Sequence, residues 1–231
     1  MKKFVLETKA ALGVAPKTVD REFDEAAAKV KAIDHALSDY KSAMERMKSA
    51  SQALVTAMES VSKAFETMSA GDDVPASIKA VSTDYAEVVK KAHYEYIVDY
   101  KKATEDNENV TDLKNLTAEC KKLEAKRNKV MSEYDTYRDS VSKKEAEYSK
   151  KGKSLTDSKH YNEEVSKRDS LKSDFENADK EFKDKFAELE TKKHSSYMAG
   201  MSSYLASTSQ FIASIEHEMS AVKSKAAAAK V

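Results

Sequence analysis

The sequence predicts an all-α protein made of three long, kinked, antiparallel coiled-coil helices, and three observations support this fold class. The 231-residue chain contains only four glycines and two prolines, so few positions favour a turn. Charged residues make up 35% of the chain and tryptophan is absent, which is typical of long solvent-exposed helices. Apolar residues recur at intervals of three and four, which is typical of helices packed side by side at shallow angles.

The first helix is predicted at about 18–70, between turn signals at 13–16 and 71–75. Its apolar seam is interrupted by only one polar residue, Ser51. Such a sustained seam indicates a helix that lies along neighbouring helices over its whole length. The seam residues are Phe23, Ala26, Val30, Ile33, Leu37, Tyr40, Met44, Met47, Ser51, Leu54, Met58, Val61, Phe65 and Met68.

The second helix is predicted at about 76–151, opening after Pro75 and ending near Gly152. Acidic and amide residues dilute the seam between 99 and 108, so we expect a bend or a more solvated stretch there. The seam residues on either side are Ile78, Val81, Tyr85, Val88, Ala92, Val110, Leu113, Cys120, Leu123, Val130, Tyr134, Tyr137, Val141 and Tyr148.

The third helix is predicted at about 157–226, and its character changes after His194. From there the apolar residues spread over more than one stripe and charges become sparse until Glu216. A helix that is apolar on two sides needs two neighbours, and a second copy of the chain related by twofold symmetry is the simplest second neighbour. Gly200 would permit a close approach or a kink. The expected dimer-interface residues are Tyr197, Met201, Tyr204, Phe211, Ile215 and Met219.

Composition narrows the function classes. The formal net charge is zero, so nucleic acid is not an expected partner. Cys120 is the only cysteine and has no intrachain partner, which suits a reducing compartment. No apolar run approaches the roughly 20 residues that span a bilayer. We therefore expect a cytoplasmic protein that meets membranes only from the surface.

We expect no catalytic site, cofactor or metal. The five histidines are scattered without a metal-ligand spacing, and the few dispersed glycines do not form a phosphate-binding loop. Cys120 lies on the apolar seam, where burial would raise its pKa and reduce its reactivity. These patterns do not predict an enzyme.

The most informative cluster is a basic one. Between Glu119 and Lys153 there are eleven basic residues against seven acidic ones. A turn at Gly152 would place the last lysines at the tip of a helical hairpin, where cations contact an anionic membrane. The alternative is that these charges form a solvated helix face. The candidate membrane-binding residues are Lys121, Lys122, Lys126, Arg127, Lys129, Lys150, Lys151 and Lys153.

Residues 1–17 form a short N-terminal segment with weak amphipathic character. Phe4, Ala11 and Leu12 lie on one side of a helix drawn through it, and Lys2 and Lys9 lie towards another. Two interpretations remain open, namely a brief membrane wedge and a helix that folds back onto the start of the bundle.

Several short motifs, taken in order, resemble the BAR (Bin/Amphiphysin/Rvs) domain family and its amphiphysin-like branch. The resemblance covers nearly the whole chain, and the order of the motifs carries more weight than any one of them. The motifs are Leu12-Gly13, Glu22-Phe23-Asp24-Glu25, Asp112-Leu113-Lys114-Asn115, Lys126-Arg127-x-Lys129, Tyr134-Asp135-x-x-Arg138, the alternating acids, lysines and phenylalanines of 163–186, and the apolar stretch 197–219.

This resemblance implies a BAR domain over 18–228 that forms a crescent-shaped homodimer with a central six-helix bundle. It also implies that the basic concave face and the tips bind anionic, curved membranes, and that the protein senses or stabilises curvature in endocytosis or vesicle trafficking. By the resemblance, Lys126, Arg127 and Lys129 belong to the concave face, and Lys150, Lys151 and Lys153 to the tip. The alternative function is an antiparallel coiled-coil scaffold or spacer that binds protein partners without lipid contact.

Overall fold

A computed structural model of the chain describes residues 16–105, 107–152, 154–155 and 158–229. These residues form helices joined by short connections, and no strand occurs among them, so the predicted all-α class is confirmed. In chain order the helices are α1 (Arg21–Met68), α2 (Ala76–Lys91), a π-helical turn (Ala92–Tyr96), α3 (Ile97–Ala103), α4 (Glu108–Lys150) and α5 (Lys159–Ala228). The N-terminal segment up to residue 15 and Lys153 lie outside the described residues.

The start of α1 is set by a side-chain cap. Oδ1 of Asp20 accepts a hydrogen bond of 3.0 Å from the backbone N–H of Phe23, which satisfies one of the free donors at the helix N-terminus. The helix ends before Gly71, and Pro75 directly precedes α2. The turn signals at 71–75 therefore mark a true helix boundary.

The second predicted helix is not continuous, because a π-helical turn and a break divide it. Between Ala92 and Ile97 the buried positions are five residues apart instead of three or four. A π-helical turn absorbs the extra residue and returns Ile97 and Tyr100 to the buried face. The turn thus keeps one apolar seam continuous across α2 and α3.

The break between α3 and α4 falls within the diluted stretch 99–108. Oγ1 of Thr104 donates to the backbone oxygen of Tyr100 at 2.7 Å as α3 ends. After it, Oδ1 of Asn107 accepts from the N–H of Asn109 at 3.1 Å and caps α4. Polar side chains that compete for backbone hydrogen bonds therefore end one helix and start the next.

The chain divides into two compact units, and α1 and α5 contribute to both. The first unit comprises the described residues up to His35 together with Leu113–Lys193. Its core is apolar and aromatic, with the rings of Phe23 and Phe182 4.8 Å apart. Other buried side chains of this core are Val30, Ile33, Leu116, Cys120, Tyr137, Val141, Leu171, Ala178 and Leu189.

The second unit comprises Ala36–Asp112 and the described residues from His194 onward. Its core joins α1, the α2–α3 helix and α5 through Val55, Met58, Tyr85, Val88, Val89, Ala92, Ile97, Tyr100 and Phe211. The hydroxyl of Tyr40 donates to the backbone oxygen of Gly200 at 3.3 Å. A Cβ at Gly200 would lie 3.0 Å from Cγ2 of Val110, so the glycine permits the close approach expected for it.

Candidate functional site

Three lysines form an exposed row on α4 in the first unit. One face of α4 is buried and includes Leu113, Thr117 and Cys120. Side chains on the opposite face of the helix are exposed to solvent. We call Lys114, Lys122 and Lys129 the lysine row, and all three are exposed.

The geometry of the lysine row favours contact with an extended anionic surface. Successive members are eight and seven residues apart, which corresponds to about 12 Å and about 10 Å along the helix. Ala118 and Ala125 lie between them on the same face and add no bulk. None of the three lysines forms an ion pair within the described residues, so none has a described carboxylate at ion-pair distance.

Other predicted membrane-binding lysines are exposed but paired. Nζ of Lys121 lies 2.8 Å from Oδ2 of Asp34, and Nζ of Lys126 lies 2.6 Å from Oε2 of Glu181. Lys151 pairs with Glu147 at 2.5 Å. Exposed pairs of this kind are weak, but each places a carboxylate beside the cation and reduces the local positive charge.

Lys150 is exposed and has no ion pair within the described residues. Lys114 was absent from the predicted set, although its eight-residue spacing to Lys122 was the signal that could have identified it. The described lysines of α4 that are exposed and unpaired are therefore Lys122, Lys129 and Lys150 of the basic cluster and Lys114, which precedes the cluster.

Arg127, one of the predicted membrane-binding residues, differs from the others that the structure describes because its side chain is only 1% exposed and does not lie on the surface. Its Nη2 lies 2.5 Å from Oδ2 of Asp20, and its Nε lies 2.9 Å from Oδ1 of Asp179. The guanidinium also lies over the ring of Phe23, 3.6 Å from the centroid, and 4.8 Å from that of Phe175. Arg127 therefore joins α1, α4 and α5 internally.

The pKa of the Asp179 carboxyl is set by this environment. Burial by itself would raise the pKa of its carboxyl, but hydrogen bonds from Arg127 and Lys183 outweigh that effect and hold the pKa below its usual value. The charged form of Asp179 is therefore the one that the fold stabilises.

A second polar contact holds the start of the described chain against α4. Asp135 is buried, and its carboxylate accepts bonds from the N–H and hydroxyl of Thr18 at 2.7 Å and 2.6 Å. Arg138 donates to the Thr18 hydroxyl at 2.8 Å and to the Pro16 carbonyl at 2.9 Å. Arg138 also pairs with Asp135, so the motif Tyr134-Asp135-x-x-Arg138 is an internal clamp.

The second unit carries an exposed apolar stripe. Along α1 the buried line passes through Val55 and Ser62, one residue later than the predicted seam positions Leu54 and Val61. The predicted seam from residue 54 onward is consequently split, and part of it faces solvent. We define the apolar stripe as Leu54, Val61, Phe65 and Met68 on α1 with Met198, Met201, Leu205, Ile212 and Met219 on α5.

Phe65 of the apolar stripe packs on Tyr85 of α2 with ring centroids 5.3 Å apart, but the contacts of α1 and α5 with the α2–α3 helix are otherwise made by different residues. On α1, Gln52 and Glu59 reach that helix through Lys101 and His93, and they lie across the buried line from the stripe. On α5, Glu218 reaches it through Lys91 at 2.8 Å. Except at Phe65, these contacts use residues of α1 and α5 that do not belong to the apolar stripe.

Part of the apolar stripe lies in uncharged stretches, which contain Leu54, Met198, Met201, Leu205 and Ile212. The remaining members Val61, Phe65, Met68 and Met219 have charged sequence neighbours, namely Glu59, Lys63, Glu66, Glu216 and Glu218. Residues 49–58 of α1 and 195–215 of α5 contain no Asp, Glu, Lys or Arg. Depletion of charge around exposed large apolar side chains is typical of the centre of a protein interface.

The predicted dimer-interface residues divide into two groups. Met201 and Met219 are exposed and belong to the apolar stripe, while Tyr197 and Tyr204 are half-buried. Phe211 is only 4% exposed, and Ile215 packs against the same core cluster. Phe211 is therefore a core residue of its own chain, because the α2–α3 helix covers it.

The free cysteine, Cys120, is buried. Burial raises the pKa of the Cys120 thiol to about 11, the direction expected for a thiol on the apolar seam. The described residues contain no group of three or more His, Cys, Asp or Glu side chains placed to hold a metal ion. No described helix combines the length and apolar character needed to cross a membrane.

No protein-family model matches the chain, and no curated protein sequence matches it significantly.

Proposed function

We propose that the protein is a homodimeric helical scaffold that binds anionic membrane surfaces and senses or stabilises their curvature. The observation that carries this proposal is the lysine row, in which Lys114, Lys122 and Lys129 are exposed and unpaired. Each lysine near an anionic bilayer contributes about 1 kcal/mol, so the row on two protomers would give useful, salt-sensitive binding.

The apolar stripe supports the homodimer. Several exposed large apolar side chains on adjacent helices are costly to leave in water, and charge is sparse around five of them. A second copy offers the same apolar side chains, and twofold packing of the two stripes would bury both. In this proposal α1 and α5 of each protomer meet their counterparts in a central six-helix bundle.

The crescent shape, the kinks that would produce it and the role in endocytosis or vesicle trafficking rest on the resemblance to the BAR family. The proposed mechanism is physical and not catalytic. A rigid cationic face gains most electrostatic energy on a membrane whose curvature matches it, and it therefore binds that membrane preferentially.

Liposome co-sedimentation tests the membrane contact. The triple variant Lys114→Glu, Lys122→Glu, Lys129→Glu should bind vesicles containing phosphatidylserine at least about tenfold more weakly than the unmodified chain. The matched control is Lys29→Glu, Lys167→Glu, Lys180→Glu, which makes the same charge change at exposed positions of the same unit. Equal binding by the two variants, or binding that is indifferent to anionic lipid, would contradict the proposal.

Sedimentation equilibrium tests the homodimer. The double variant Leu54→Asp, Leu205→Asp places charges on both parts of the apolar stripe and should be monomeric with unchanged helicity. The control Ala80→Asp, Ala206→Asp adds the same charges at exposed positions outside the stripe and should remain dimeric. A chain that is monomeric without any substitution would refute the homodimer.

One observation favours the alternative of a protein-binding spacer. Lys121, Lys126 and Lys151 are each paired with a carboxylate, which leaves less positive charge than the sequence implies. A spacer would dimerise through the apolar stripe but fail to sediment with anionic vesicles, so the two experiments together distinguish the functions.

A further inference from the structure

The exposed methionines of the described residues all lie on one surface. Their exposed fractions are 73% for Met68, 64% for Met198, 57% for Met201 and 40% for Met219, and all four belong to the apolar stripe. By contrast, Met44 and Met58 are 8% exposed within the helical packing. The thioethers that solvent reaches are thus concentrated where the proposed second copy would pack.

We propose that these four methionines are sites of reversible oxidation by peroxides, and that their oxidation blocks self-association. This inference rests on the proposed homodimer. Methionine accounts for four of the nine large side chains that define the apolar stripe. A change at these positions therefore alters a large part of the surface that would be buried.

The chemistry requires only a peroxide. A lone pair of the methionine sulfur attacks one peroxide oxygen, the O–O bond breaks, and a sulfur–oxygen bond forms. The sulfur loses two electrons. With hydrogen peroxide, the departing hydroxide takes up the one proton released by the oxygen now bound to sulfur and leaves as water. Methionine sulfoxide reductases reverse the change.

Oxidation opposes self-association because it makes an apolar side chain polar. A sulfoxide oxygen accepts hydrogen bonds from water, and burial against a second apolar stripe would remove them without replacement. The nine side chains of the apolar stripe carry no N–H or O–H group that could donate to the sulfoxide from the other protomer. Oxidised chains should therefore remain monomeric.

The same geometry makes oxidation depend on protein concentration. In a dimer the four sulfurs would be covered, so peroxide would reach them mainly in the dissociated monomer. Dilution should then accelerate oxidation at the four stripe positions and leave the slow oxidation of Met44 and Met58 unchanged.

Peptide mass spectrometry after limited treatment with hydrogen peroxide tests the sites. At low protein concentration, Met68, Met198, Met201 and Met219 should oxidise at least about tenfold faster than Met44 and Met58. Sedimentation equilibrium then tests the consequence, and the dimer dissociation constant should rise at least about tenfold after oxidation. Similar oxidation rates at all positions would overturn the site assignment.

Two variants separate this effect from general damage. The variant Met68→Leu, Met198→Leu, Met201→Leu, Met219→Leu should remain dimeric after peroxide, whereas Met44→Leu, Met58→Leu should dissociate as the unmodified chain does. Dissociation of the first variant, or persistence of dimers after full oxidation of the four sites, would overturn the inference. An untreated chain that is monomeric at every concentration would refute the homodimer as well, and that control is measured first.

Discussion

At the scale of single residues, the most consequential side chain is Arg127. It lies within a basic motif, yet it is buried between the carboxylates of Asp20 and Asp179 and the rings of Phe23 and Phe175. The Oδ1 atom of Asp20 also caps α1, so one carboxylate serves both the helix start and the buried pair. A buried cation of this kind organises its neighbours and is not available to an external ligand.

Arg127→Met should destabilise the fold by about 3–5 kcal/mol at pH 7, because it leaves two carboxylates without their buried partner. Urea unfolding followed by circular dichroism measures the change. Lys122→Met on the exposed face of the same helix is the control and should change stability by less than about 0.5 kcal/mol. Equal stability of the two variants would show that the buried pairs contribute nothing.

Asp179→Asn should lower the free energy of unfolding at neutral pH, and the difference from the unmodified chain should become smaller in acid. The pKa of Asp179 is lower in the folded chain than in the unfolded chain. Its charge therefore stabilises the fold at pH values above the usual carboxyl pKa of about 3.9. That stabilisation is lost as the pH falls through the folded-state pKa. Urea unfolding curves recorded at several values between about pH 3 and about pH 7 would measure how the stability difference between the two chains changes. Asp174→Asn, at an exposed position of the same helix, should show a small difference that does not vary in this way.

At the scale of elements, the π-helical turn is the clearest departure from a regular heptad pattern. The five-residue step from Ala92 to Ile97 would rotate the following apolar residues out of the core if the helix remained α-helical. The turn keeps Ile97 and Tyr100 buried, and Tyr100 packs on Phe211 with ring centroids 5.0 Å apart. The core contact of α3 therefore depends on this one inserted residue.

Deletion of Glu95 should convert the π-helical turn to α-helix and leave the core intact, because the step becomes four residues. Deletion of Asp99 is the control and should lower the free energy of unfolding by at least about 3 kcal/mol. It shortens the step from Ile97 to Tyr100 to two residues, so the two side chains can no longer both face the core. Thermal unfolding would measure both variants. A larger loss for the Glu95 deletion than for the Asp99 deletion would contradict this account of the turn.

At the scale of the whole molecule, the two surfaces that carry the proposals differ in chemistry. The lysine row belongs to the first unit and would act through long-range electrostatics, which salt screens. The apolar stripe belongs to the second unit and would act through burial of apolar area, which salt does not weaken.

Small-angle scattering tests the proposed assembly directly. The proposed homodimer would have twice the 25.7 kDa chain mass, and the proposed crescent would scatter as an elongated arc. The mass should persist at high salt, where binding to anionic vesicles should be lost. A compact particle with the mass of one chain would exclude the assembly.

Much of the fold could be predicted from the sequence, because helical periodicity and turn signals are local. The seam residues Phe23 to Met44, the boundary near Gly71 and the raised pKa of the Cys120 thiol all follow from patterns within a few turns of helix. The candidate surfaces were only partly predictable. Lys122 and Lys129 are exposed as expected, whereas four of the six predicted interface residues are half-buried or internal.

The sequence by itself determined that the chain is helical, where most helices begin and end, and where charge is concentrated. Only the tertiary structure decided that Arg127 faces inward, because its partners Asp20 and Asp179 are 107 and 52 residues away. It also decided that Val55 and Ser62, instead of Leu54 and Val61, face the core. Periodicity identifies an apolar face, but neighbouring helices distant in sequence determine which part of that face is covered.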